Sequence, residues 1–142
     1  MNDPTWAPRV RAQIDALPAT RPGLLTAVLA VEAAARRLVP PEPSSAPGSL
    51  LTIWRRCARA ADHMRAIASA PSVEPLSLPP LDRAVTQVDL MALRQLIGEC
   101  CALANEVLDD RRHPLPHGHV LAIGKAQHLL ELAAESAVEV AA

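Results

Sequence analysis

The stretch DDRRHPLPHGH, residues 109–119, gathers three of the chain's five histidines and two aspartates. His113, His117 and His119, with Asp109, offer the imidazole and carboxylate ligands that zinc, nickel and copper accept. A divalent metal is therefore the one cofactor these residues suggest. The spacing weighs against it, because the histidines are threaded with Pro114 and Pro116 and do not repeat one turn apart on a rigid helix. Helix punctuation accounts for the same residues. Arg111, Arg112 and His113 place positive charge where the dipole of a helix C-terminus favours it. Pro114 then forbids continuation, and Gly118 frees the backbone to start again. The expectation is a helix stop and restart without a bound cofactor.

Asp89 is the second candidate. It shares a helical stripe with Val85, Leu96 and Leu103, and an unpaired carboxylate buried there would be costly. Desolvation would raise its pKa and make it a general base in a small apolar pocket. The competing expectation is that it pairs with an arginine from a neighbouring helix, since buried charges find partners.

A third candidate is the run WRRCARAADHMR, residues 54–65. Arg55, Arg56 and Arg59 form a basic helix face of the kind that binds phosphate. The formal net charge of −1 and the absence of Phe and Tyr argue against nucleic acid, because neither general attraction nor an aromatic platform for bases is available. The last helix is acidic, with Glu131, Glu135 and Glu139, so charge complementarity within the fold or between copies explains the basic face more simply. The thiols add no catalytic motif: Cys100 and Cys101 are adjacent and point about 100° apart on a helix, while Cys57 and Cys100 read as small core hydrophobes.

These residues need helices to hold them. Ten of the fourteen prolines cluster at 39–49, 70–80 and 113–118, and between the clusters apolar residues recur at three and four. The pattern predicts helices at about 5–17, 23–39, 49–69, 81–112 and 119–138. Thr5 and Ser49 are the expected caps. Glu32 and Arg36 are an expected i,i+4 pair. The inward stripes are Leu50, Ile53, Cys57, Ala61, Met64 and Ala68 on the third helix, and Ile123, Ala126, Leu130, Ala133 and Ala137 on the last. The fourth helix has two apolar edges and should touch neighbours on two sides. Val73, Leu76 and Leu78 are too apolar for a free linker and should strap an extended segment across one end of the fold. Gly98 and Gly124, inside helices, would mark close helix contact or room for a ligand.

At 142 residues, half of them hydrophobic, the chain has the length of a single domain with a core built from Ala, Leu and Val. The expected fold is all-α, an antiparallel four-helix bundle with an additional short N-terminal helix as a lid or arm. Thirteen Arg against one Lys reads as the codon bias of a GC-rich bacterial genome. Three Cys and no export signal at the N-terminus suggest the cytoplasm, and no apolar run is long enough to span a membrane. Surplus apolar positions, Leu25 and Leu29 beside Glu32 and Arg36, and Leu121 and Leu132 on the last helix, point to an interface. The leading expectation is a non-catalytic bundle acting through protein interaction, as a homodimer or with another protein. The alternative is a small enzyme or ligand-binding bundle with an apolar pocket around Asp89 and the 113–119 histidine loop at its mouth.

Overall fold

Helical stripes of Ala, Leu and Val can bury themselves only against one another. In the computed structural model, which describes residues 6–39 and 48–141, they do so in an all-α arrangement. Five helices lie among the described residues: α1 (Trp6–Asp15), α2 (Arg21–Arg37), α3 (Gly48–Arg65), α4 (Gln87–Asp109) and α5 (His117–Ala141). Around the bundle α2 packs beside α3, α3 beside α5, α5 beside α4, and α4 beside α2. The short α1 lies against α2 and α4, so it is part of the packed fold. Trp6, Val10 and Ile14 bury its inner face. The apolar stripes expected on α3 and α5 are buried, but α3 ends at Arg65, so Ala68 is buried from beyond the helix; α4 touches neighbours on more than one side.

The helix ends differ from the expected ones for local reasons. Thr20 caps α2 by accepting a hydrogen bond from the Gly23 N–H at 3.1 Å, with Pro22 in the first turn, where a missing N–H costs nothing. Gly23 is required there, since a Cβ would lie 2.1 Å from the Pro18 carbonyl oxygen. Helix α3 begins at Gly48, so Ser49 lies within its first turn and does not precede it. The expected cap at Thr5 and most of the 39–49 proline cluster lie outside the described residues.

The largest correction is to α4, which starts at Gln87 and not near 81. Thr86 caps it in a capping box: the Asp89 N–H donates to Thr86 Oγ1 at 3.4 Å and the Thr86 N–H donates to Asp89 Oδ2 at 2.9 Å. Leu81 and Val85 therefore pack on the core from an extended segment. Helix α4 also stops earlier than expected, at Asp109. Asp110 then turns the chain by accepting from the Arg112 N–H at 3.0 Å. Arg111 and Arg112 thus lie beyond the helix. Helix α5 begins at His117, with the His119 and Val120 N–H groups donating to the Pro116 carbonyl at 3.0 and 3.2 Å, so Gly118 is helical.

Because α4 starts late, 66–86 is a long connection joining two helices that do not pack side by side. It runs along α2 and not across one end of the bundle. Ser72 sits at the start of α2, where its N–H donates to Thr26 Oγ1 at 2.9 Å and to the Pro22 carbonyl at 3.2 Å. Pro79 sits at the end of α2, its carbonyl accepting from Arg37 Nη1. Between them Gln13 of α1 donates to the Glu74 carbonyl at 3.0 Å. Leu76 and Leu78 pack on the core as expected, whereas Val73 is half exposed.

Candidate ligand-binding cleft and the Asp89 clasp

Asp89 is fully buried, as its stripe position predicts. Its partner is Arg83, six residues upstream in the extended segment, and not an arginine of a neighbouring helix. The guanidinium meets the carboxylate as a fork, Nη1 to Oδ2 at 2.7 Å and Nη2 to Oδ1 at 2.8 Å. Trp6 of α1 donates its indole N–H to Oδ1 at 3.2 Å, and Thr86 supplies the capping N–H. Burial alone pulls the Asp89 carboxyl upward. The hydrogen bonds from Arg83, Thr86 and Trp6, with the charge of Arg83, outweigh it and bring the pKa down to about 2. The raised pKa expected of a general base is thus overturned, because each oxygen is already saturated with donors. Asp89 clasps three segments: α1, the extended connection and the first turn of α4.

On the far side of Arg83 and Thr86 lies a cleft of about 560 Å³. The end of α2, the first turns of α3 and α4, the last residues of α5 and the segment 81–86 meet around it. Leu38, Leu50, Leu81, Val85, Leu90 and Val140 give it apolar walls, and Arg37 and Arg83 are the charged residues on them. Its volume lies within the range of small-molecule sites. Asp89 does not line it and reaches it only through Arg83 and Thr86, so the expected pocket "around Asp89" is displaced to the other side of the clasp.

The histidine loop lies elsewhere. His113 is exposed and pairs with Asp110, Nδ1 to Oδ2 at 3.1 Å, and that contact holds the Asp110 carboxyl below its ordinary value. His119 Nδ1 accepts from Arg21 Nη1 at 2.6 Å, joining the start of α5 to the start of α2. His117 and Asp109 are exposed. The structure does not bring these four together, and among the described residues no three His, Cys, Asp or Glu side chains gather as a metal site needs. The loop is also remote from the cleft mouth, since the cleft is lined by the last residues of α5 and the loop precedes its first.

The basic face of α3 is likewise divided. Arg55 and Arg59 are exposed, but Arg56 reaches across to α5, its Nη1 donating to the Leu132 carbonyl at 3.0 Å and to Ser136 Oγ at 2.6 Å. Among the described residues no ion pair joins α3 to the glutamates of α5. The expected Glu32–Arg36 pair is replaced by a shared partner: the Trp54 indole N–H donates to Glu32 Oε1 at 2.9 Å, and the Arg36 guanidinium lies 4.9 Å over the same ring. Burial pushes the Cys57 thiol up to about 12, with Glu32 adding to the effect, and Cys101 up to about 11, with Glu131 adding. Gly98 and Gly124 are exposed, with nothing within reach of a Cβ, so neither marks a close contact or a ligand site.

Sequence reading missed Arg37, Arg83 and Thr86. Thr86 with Asp89 carries a capping-box spacing that was open to view. Arg37 carries no local signal, because its role depends on four elements meeting at one end of the bundle. No helix among the described residues is long and apolar enough to cross a membrane. Comparison with known proteins finds no matching family model, no matching curated sequence and no matching solved structure.

Proposed function

We propose that this chain is a non-catalytic ligand-binding bundle whose cleft between α2, α3, α4 and α5 takes a small, largely apolar molecule. The observation that carries this reading is the cleft itself: about 560 Å³ of space with apolar walls, where the end of α2, the first turns of α3 and α4 and the last residues of α5 meet. Catalysis is not part of the reading, since Asp89, the carboxylate buried beside the cleft among the described residues, is bound by Arg83, Thr86 and Trp6. The test is a thermal-shift and calorimetric screen of small apolar molecules on the wild type and on Val85→Trp, which fills the cleft from its wall. Saturable binding that Val85→Trp abolishes is the expected result. Binding that is absent, or unchanged in that variant, removes the reading.

A second reading, self-association or docking of a protein partner, keeps one observation in its favour. Val120 and Leu121 are adjacent on the first turns of α5 and 39% and 50% exposed. Of the four residues that motivated this reading, Leu121 is exposed, Leu29 and Leu132 are half-buried, and Leu25 is buried in the core. Light scattering across a concentration series is the check: a mass of two chains in the wild type that falls to one chain in Leu121→Lys supports it, and one chain throughout excludes the homodimer.

A further inference from the structure

Among the described residues the lining of the cleft is apolar except for Arg37, Arg83, Thr86 and Gln87, and it carries no acidic side chain. The two arginines there are not equivalent. Arg83 turns both terminal nitrogens to Asp89, and Nη1 also reaches the Ala84 carbonyl, so its charge is already met by a carboxylate. Arg37 is different. Among the described residues it has no carboxylate partner and only Nη1 is engaged, by the neutral Pro79 carbonyl. Its Nε is buried without a hydrogen-bond acceptor among the described residues. A buried donor left without a partner is expensive, and a guanidinium is built to take a carboxylate or phosphate through two parallel N–H groups. The Pro79 contact and the half-buried stem hold Arg37 in place at the cleft wall, so little side-chain freedom remains to be lost when an anion arrives.

We infer that the ligand of this cleft is an anionic amphiphile: a carboxylate or phosphate head met by Arg37, carried on a short aliphatic chain that lies against Leu50, Leu81, Val85 and Leu90. This rests on the ligand-binding reading above and gives it a chemical class. The head charge complements Arg37, the cation of the wall that no carboxylate meets among the described residues. The aliphatic body matches a wall without aromatic side chains, which offers area but no stacking surface.

The probes are octanoate, octyl phosphate, octanol and octylamine, which share one chain and differ in the head, each titrated calorimetrically below its micelle concentration. The wild type should bind octanoate or octyl phosphate about tenfold or more tightly than octanol, the difference expected of one charge-assisted hydrogen-bond pair, and octylamine more weakly still. Arg37→Met should erase that preference while keeping octanol binding, and Arg37→Lys should restore part of it. Whichever of the two anions binds better names the head group. If octanol binds as well as both anions, the anionic class is wrong while the cleft reading stands. If the preference survives in Arg37→Met, Arg37 is not the recognising group and the inference falls. If none of the four binds, or all bind Val85→Trp equally, the cleft reading itself fails. Far-ultraviolet circular dichroism of each variant separates lost recognition from lost folding.

Discussion

At the scale of single residues, Asp89 shows how burial and function part company. A carboxylate in a helix's inward stripe was visible in the sequence, but its partners were not, because Trp6 is 83 positions away and Arg83 read as part of the same helix. The structure turns the candidate base into a fixed anion, and this has a pH signature. An unfolded Asp titrates near pH 3.9, whereas Asp89 in the fold is held at about 2. As pH falls the unfolded chain therefore takes up its proton first. The stabilisation is complete above about pH 5 and is lost as pH falls through 4 toward 2, amounting to about 2 kcal/mol at neutral pH by linkage. Asp89→Asn should lower the unfolding free energy at pH 7 by about 2 to 3 kcal/mol, since it breaks a buried pair and frees a donor. Its deficit relative to wild type should shrink toward pH 2 in urea titrations. Equal stability at pH 7 would show that the clasp contributes nothing. The cysteines give a second expectation of this kind. With Cys57 raised to about 12 and Cys101 to about 11 by burial, almost no thiolate exists at pH 8. A chromogenic disulfide reagent should leave the native protein unmodified over minutes and titrate its thiols once guanidinium is added.

At the scale of elements, interior periodicity was legible and boundaries were not. The stripes on α3 and α5 fell where the three-and-four spacing put them, because which face is buried is a property of one helix alone. The start of α4 was misplaced because Leu81 and Val85 continue the apolar spacing backward into a segment that is extended. The deciding signal was Thr86 with Asp89 three residues later. Thr86→Ala should cost about 1 kcal/mol in unfolding free energy, the ordinary value of a lost N-cap. The helical glycines separate into two kinds. Gly98 and Gly124 face open space, so Gly98→Ala and Gly124→Ala should each raise stability by about 0.5 to 1 kcal/mol through helix propensity and a less flexible unfolded chain. Gly23→Ala should do the reverse, because its Cβ would meet backbone at 2.1 Å and the Thr20 cap would have to move. Denaturant melts of the three variants check both signs at once. A destabilised Gly98→Ala would mean that its exposed face is occupied.

At the scale of the whole molecule, what the sequence leaves open is adjacency. An amphipathic helix shows which face it buries and not against which neighbour, so neither the order of helices around the bundle nor the cleft at its end could be read from stripes. The 66–86 connection links these two unknowns. Helices α3 and α4 do not pack side by side, and the chain passes between them by lying along α2, from Thr26 at one end to Arg37 at the other. It then supplies Leu81, Arg83 and Val85 to the cleft wall. Arg83 and Thr86 fasten its far end to Asp89, and at its near end the fully buried Thr26 hydroxyl accepts from the Ser72 N–H at 2.9 Å and donates to the Pro22 carbonyl at 3.1 Å. Thr26→Val keeps the shape and removes those bonds. It should weaken the local attachment by about 1 kcal/mol, which is about a fivefold increase in hydrogen exchange at the 72–76 amides, while the amides of α3 and α5 keep their wild-type protection. Because the same segment walls the cleft, Thr26→Val should also weaken ligand binding from a position that does not line the site. If exchange rose equally in every helix, the connection would not be a separately opening unit, and the cleft wall would move only when the whole bundle unfolds.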